Sequence, residues 1–173
     1  MKKKIIFFDA DGTLWYPKKT KHTKPPVWLY KDKRYKNHTN HLVMIPSVLP
    51  TLKKLKEMGI ITIVLSVYSY LPKEGDALVR GKVKHFELED LFDEVYSTRE
   101  YHESKGEFML KILAKRKIPK SKALMVGDSY KWDFKPAKDR GIDALLIESE
   151  YVQNENHADR TIKKLSDVFK YIS

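Results

Sequence analysis

The chain has 173 residues, is 42% hydrophobic and 33% charged, carries a formal net charge of +11 and contains no Cys. That length suffices for one domain with a sizeable core. The composition excludes disulfides and thiolate metal sites, and no apolar run approaches the roughly 20 residues of a membrane span. The basic balance favours anionic partners: phosphorylated substrates, nucleic acid or an anionic surface. A solvated Lys-rich surface is the plainer reading and outweighs nucleic-acid binding. Abundant Lys and Glu with a single Gln, Gln153, lean towards a heat-adapted source. The basic start meets two Asp after four apolar residues, too short for a signal peptide, so a cytoplasmic location is expected.

In chain order, "KKIIFF" (3–8) predicts a buried strand. "VLPTLKKLKEMG" (48–59) predicts a helix, with Leu49, Leu52, Leu55 and Met58 at steps of three and Gly59 as a stop. "IITIVLS" (60–66) predicts a second strand, 73–92 a helix with Gly81 as a break, and "DEVYST" (93–98) a third strand. "KGEFMLKILAKRK" (105–117) predicts an amphipathic helix. "KALMVGD" (122–128) and "DALLIES" (143–149) predict strands four and five, and 160–172 a last helix. Strands alternating with helices imply an α/β fold. We read one domain over 1–173, a Rossmann-like, doubly wound parallel sheet of five strands in the order 3-2-1-4-5. Ligands of such sheets sit at the carboxyl ends of the strands, near the switch point.

Residues 16–45 break the alternation. They are basic, aromatic and Pro-containing, and read as a flap or minimal cap over the site. "VWLY" and "HLVMI" are expected to pair as a hairpin around "KDKRYKNHTN". Trp15, Trp28 and Tyr30 either line the substrate entrance or pack the flap onto the core. His22, His38 and His41 are polar flap residues rather than a zinc site, because no acid or thiolate accompanies them.

The first strand runs into Asp9 and Asp11, and Gly12 lets the chain turn beside them. "DADG" is not a calcium loop, since Leu14 and Thr20 stand where Gly and Glu would be needed. "VGDSYKWD" brings Asp128 and Asp133 to the same sheet edge. "IVLSVYS" brings Ser66, with Ser69 as a competitor. "ESKGEF" brings Lys105 at a helix start, with Lys111 as the competing Lys. Four Asp suit Mg²⁺, and Ser and Lys suit a phosphate. "GDALVRGK" (75–82) is not a P-loop: five residues separate its glycines and Val83 follows the Lys.

This set resembles the haloacid dehalogenase superfamily of aspartate-nucleophile phosphatases. "DADGT" (9–13), Ser66 after "TIVL", Lys105 and "GDSYKWD" (127–133) match its four motifs in order, across most of the chain. "DGTLW", "HTKPP" and "IPSVLPTLKKLKEMGI" are similar to the magnesium-dependent phosphatase family, although that family often shows paired acids where this chain has "GDS". The resemblance implies Asp9 as nucleophile and metal ligand, forming an aspartyl-phosphate. Asp11 would be the general acid and base, its backbone carbonyl binding the metal. Asp128 would be a direct ligand, and Asp133 either a ligand or the anchor of one. Ser66, Lys105 and the backbone N–H groups of Ala10 and Asp11 would bind phosphate.

The expected function is Mg²⁺-dependent phosphomonoester hydrolysis, on a phosphoprotein such as one carrying phosphotyrosine, or on a small sugar phosphate. Two rivals stand beside it. Lys18, Lys19, Lys21, Lys24, Lys31, Lys33, Arg34 and Lys36 cluster on the flap and would suit a nucleic-acid end phosphatase. A non-catalytic basic binding protein on the same fold is the other. A monomer or small homo-oligomer is expected.

Overall fold

In the computed structural model the described residues are 2–100, 102–152 and 160–172. Strand β1 (Ile5–Phe8) is fully buried along its length, which is why it reads as an unbroken apolar run. Successive side chains alternate across the sheet. Ile6 and Phe8 join a core with Leu52, Leu55, Val79 and Val83 on one face, and Ile5 and Phe7 join Met109, Leu113 and Ala137 on the other.

After β1 the chain forms β2 (Trp15–Pro17), α1 (Val27–Lys31) and β3 (Leu42–Met44). β2 begins one residue before the 16–45 segment expected as a flap, and α1 and β3 lie within it, but the expected hairpin does not form. "VWLY" is helical, and β3 pairs antiparallel with β2 instead. The cause is local: Pro25 and Pro26 stand just before α1, and a Pro ring holds φ where a helix can begin. Pro26 is itself in the helical region at φ −54°, and Leu29 is buried beneath the short helix.

There follow α2 (Val48–Glu57), β4 (Ile61–Tyr68), α3 (Pro72–His85), β5 (Glu94–Arg99), α4 (Lys105–Arg116) and β6 (Ala123–Gly127). The chain ends with α5 (Lys135–Asp139), β7 (Asp143–Ile147) and β8 (Thr161–Ile162). Gly81 does not break α3, which instead ends where Glu87 turns left-handed at φ +56°.

The main sheet runs β5-β4-β1-β6-β7-β8, with every neighbour parallel. The five expected strands keep their expected order, and β8 adds a sixth at the edge. Residues 160–172 are therefore not one helix. Thr161 and Ile162, both β-branched, extend the sheet beside Leu146 and Ile147. Leu165–Lys170 then winds in tight turns, and the buried Leu165 and Val168, three apart, suit three residues per turn. Among the described residues no helix is long and apolar enough to cross a membrane.

Register positions the site. Phe8 lies level with Val64 of β4 and Val126 of β6. Asp9 and Asp128 thus follow β1 and β6 directly and Ser66 lies near the carboxyl end of β4, all at one edge, with β1 at the switch point between its two neighbours.

Candidate active site

Asp9 follows β1 directly, and its N–H donates to the Val126 carbonyl at 2.9 Å. Its side chain is 10% exposed. The next residues close a tight turn, in which Thr13 and Leu14 donate their N–H groups to the Ala10 carbonyl at 3.2 and 2.8 Å. Gly12 is required in that turn. Its φ is +88°, and a Cβ there would lie 2.1 Å from Asp128 Oδ2. Gly127 makes room in the same way, since a Cβ there would lie 2.2 Å from Asp133 Oδ2.

Lys105 opens α4. Ser104 caps that helix by accepting from the Glu107 N–H, and Glu107 reaches back to the Ser104 N–H. The cap aims Lys105 inwards. Its ammonium donates to Asp9 Oδ1 at 2.5 Å and Asp133 Oδ1 at 2.6 Å, and it is 2% exposed. Burial alone would lower its pKa, but Asp133 and then Asp9 outweigh that and hold it above the usual lysine range. Lys111, the competing Lys, lies outside on the surface with Glu103.

Asp133 sits in a wide helical turn that begins at Ser129, whose N–H donates to Asp133 Oδ2 at 3.0 Å. Asp9, Asp128 and Asp133 each bring a carboxylate oxygen within 4.8 Å of the others. Burial first, and then the Asp9 charge, push the carboxyls of Asp128 and Asp133 up, Asp133 to about 7. With all three ionised, these carboxylates would exceed the one ammonium by two negative charges. A hard divalent ion with oxygen ligands fits that donor set. Ser66 is buried near the end of β4, whereas Ser69 is exposed beyond it.

Asp11 stands apart from this cluster. Trp15 Nε1 and the Tyr30 hydroxyl each donate to its Oδ1 at 2.7 Å. The Lys82 ammonium reaches Oδ1 at 3.1 Å and Oδ2 at 2.9 Å. Tyr30 stays a neutral donor, because burial and the Asp11 charge push its pKa well up. Trp15 is fully buried and stacks on Phe86, while Trp28 bonds Thr20 within the 16–45 segment. His22 contacts the Gly12 carbonyl through Nε2 at 2.8 Å, and His38 and His41 pack edge-on against Tyr30 and Tyr35.

Two site residues escape the reading of the sequence. Lys82 lies on α3 among Val79 and Val83, so a Lys in that buried stripe was the available signal. Tyr151, in the loop after β7, donates to Asp128 Oδ2 at 2.5 Å. Its sequence neighbourhood carries no comparable signal.

Comparison with known proteins agrees with the geometry. The family model described as haloacid dehalogenase-like hydrolase matches residues 8–147. A protein of Caldanaerobacter subterraneus subsp. tengcongensis named as a pyrophosphatase, PpaX, is 32% identical over 120 residues, which is 68% of this chain and 51% of that protein. The chain therefore matches about half the length of that relative. Two solved structures share the fold. One is a Clostridium difficile protein named as a phosphatase (TM-score 0.74, 18% identity, 100% of both chains). The other is a haloacid dehalogenase-type phosphatase of Thermococcus onnurineus (TM-score 0.70, 22% identity, 100% of this chain and 98% of the other).

Proposed function

This chain belongs to the haloacid dehalogenase-like hydrolase family, and on that footing we propose that it is a Mg²⁺-dependent phosphomonoester hydrolase with Asp9 as its nucleophile. The observation that carries the reading is the buried Lys105 ammonium between Asp9 and Asp133, beside the three-carboxylate cluster. Such an arrangement is costly to bury, and it stands at the sheet edge where ligands of this fold bind.

Asp9, Asp128 and Asp133 would hold the ion, with Asp133 also fixed by Lys105 and Ser129. Bound there, the ion would neutralise the phosphate and the acids around it. A carboxylate oxygen of Asp9 attacks phosphorus. The bond from phosphorus to the ester oxygen breaks, and that oxygen leaves with a proton from the Asp11 carboxyl. Water then attacks the phosphorus of the aspartyl-phosphate and gives a proton to the Asp11 carboxylate. The bond from phosphorus to Asp9 breaks, which releases phosphate and restores both acids. Lys105 and Ser66, with the N–H groups of Ala10 and Asp11, hold the phosphoryl oxygens throughout.

Small sugar phosphates and phosphotyrosine are the substrate classes we propose, and pyrophosphate joins the panel because a relative is named for it. The deciding experiment is hydrolysis of 4-nitrophenyl phosphate with Mg²⁺ and with chelator, on the native protein and on Asp9→Asn. Metal-dependent turnover that is lost in the variant is expected. Turnover that survives in folded Asp9→Asn would sink the mechanism.

One observation favours a second reading. Lys18, Lys19, Lys21, Lys24, Lys31, Lys33, Arg34 and Lys36 are all exposed on the segment that also supplies Tyr30 to Asp11. An end phosphatase acting on nucleic acid would use such a face. Its activity on an oligonucleotide 3′- or 5′-phosphate would fall steeply with salt while small esters stayed flat.

A further inference from the structure

Resting on the phosphatase reading above, we propose that Lys82 is a positioning residue for Asp11, acting with Tyr30 of the flap to aim the proton-donating carboxyl at the leaving oxygen.

Lys82 is 4% exposed, and a buried ammonium must be compensated. Every partner found for it belongs to the surroundings of one acid. Its Nζ meets both Asp11 oxygens, the Tyr30 hydroxyl at 2.7 Å and the Tyr68 hydroxyl at 3.0 Å. It also lies 4.5 Å from the Tyr30 ring centroid and 5.2 Å from that of Tyr68. Tyr30 completes a closed set: its oxygen accepts from Lys82 while its proton goes to Asp11 Oδ1.

The site thus holds two buried ammonium groups with separate duties. Lys105 serves Asp9 and Asp133, and Lys82 serves Asp11. Asp11 is gripped from three separate elements: Trp15 on β2, Tyr30 on α1 and Lys82 on α3. A carboxyl on a loop swings freely unless its oxygens are tied, and proton transfer needs hydrogen-bond reach to the departing oxygen. The grip supplies that constraint. It also makes the docking of α1 a condition for placing the acid, because Tyr30 belongs to the flap. A lysine that merely joined the flap to α3 would need the tyrosine hydroxyls alone. Here the ammonium spans both oxygens of the acid.

The test compares kcat/KM on 4-nitrophenyl phosphate, whose leaving group needs little protonation, with that on phenyl phosphate, whose leaving group needs much. In Lys82→Met the phenyl ester should lose about 10²-fold, the lower end of what a positioned acid contributes, and the nitrophenyl ester far less. Tyr30→Phe should shift the same ratio in the same direction by a smaller factor, and it carries the test if Lys82→Met does not fold. Asp11→Asn should already show the steep dependence on leaving group, and adding Lys82→Met should leave that slope unchanged. Equal losses on both esters, or a slope that steepens again in the double variant, would overturn the proposal and leave Lys82 a structural tie. If native protein shows no Mg²⁺-dependent turnover, or Asp9→Asn keeps it, the phosphatase reading itself fails and this proposal falls with it.

Discussion

The Lys105 ammonium lies 2.5 Å from Asp9 Oδ1 with both residues buried, and the same ammonium reaches Asp133. It is the cation that lets a cluster of acids sit inside the fold. Removing one member of a buried ion pair leaves the other uncompensated, at about 3–5 kcal/mol. Lys105→Met should therefore destabilise the protein by that order at pH 8. At pH 5 the loss should be smaller, because Asp133, whose pKa is pushed up to about 7 by burial and the Asp9 charge, is then protonated and no longer needs the cation. Urea denaturation at the two pH values reads the difference. An equal loss at both would mean that Lys105 acts through packing rather than charge.

The acids themselves set a pH dependence whose sign follows from their shifts. Asp128 and Asp133 hold their protons more tightly in the folded chain than an exposed carboxyl does, Asp133 up to about 7. Stability from such groups is complete below the ordinary carboxylate pKa of about 4 and is lost as pH rises through the folded value. Metal-free protein should accordingly lose melting temperature between pH 4 and about 7 from these groups. Mg²⁺ competes with the protons, so its stabilisation should be larger at pH 8 than at pH 5. Melting curves with Mg²⁺ and with chelator measure this. A gain independent of pH would argue against the three acids as the metal site.

How much of this was legible in the sequence depends on how each residue is used. Ile5–Phe8 run without a polar interruption because both faces of β1 are covered, so the strand and the sheet order were readable. Asp9, Asp128, Ser66 and Lys105 sit at element ends, where a short motif fixes position along the chain and register does the rest. Thr161–Ile162 escaped because a two-residue edge strand has no period to detect. The hairpin expected between "VWLY" and "HLVMI" did not form because Pro25 and Pro26 stand where a helix can begin, and the apolar stretch after them is helical. Lys82 stands in "GDALVRGK", where the sequence alone invites comparison with a phosphate loop. Its partner Asp11 is 71 residues away, and only the fold brings the two together.

Tyr151 offers a test of the proposed metal site that leaves its carboxylates intact. Burial, then the Asp128 charge, hold its phenol far above the usual tyrosine range, so it stays a hydrogen-bond donor to Asp128 Oδ2. A donor of this kind fixes the orientation of a metal-binding carboxylate, and its removal commonly costs 10- to 100-fold in affinity, roughly. Tyr151→Phe should raise the Mg²⁺ concentration for half-maximal turnover by about tenfold. The melting temperature in chelator should barely move. Unchanged Mg²⁺ dependence would place Asp128 under other control.

Gly12 and Gly81 should respond oppositely to the same substitution. At Gly12 a Cβ would collide with Asp128 Oδ2 at 2.1 Å and crowd the Tyr151 hydroxyl at 2.9 Å, on a backbone at φ +88°. The strain costs on the order of 1 kcal/mol, and Asp128 must move as well. Gly12→Ala should thus lose Mg²⁺-dependent turnover while keeping most of its stability, since the core contacts of β1 are untouched. Gly81 lies inside α3, where a Cβ meets nothing within 4 Å. Gly81→Ala should stabilise by about 0.5–1 kcal/mol through helix propensity and leave turnover unchanged. Denaturation and kinetics on the pair separate room for the acids from rigidity of the backbone. If Gly12→Ala keeps full Mg²⁺-dependent activity, the close packing of Asp128 against the first turn is not what places the ion.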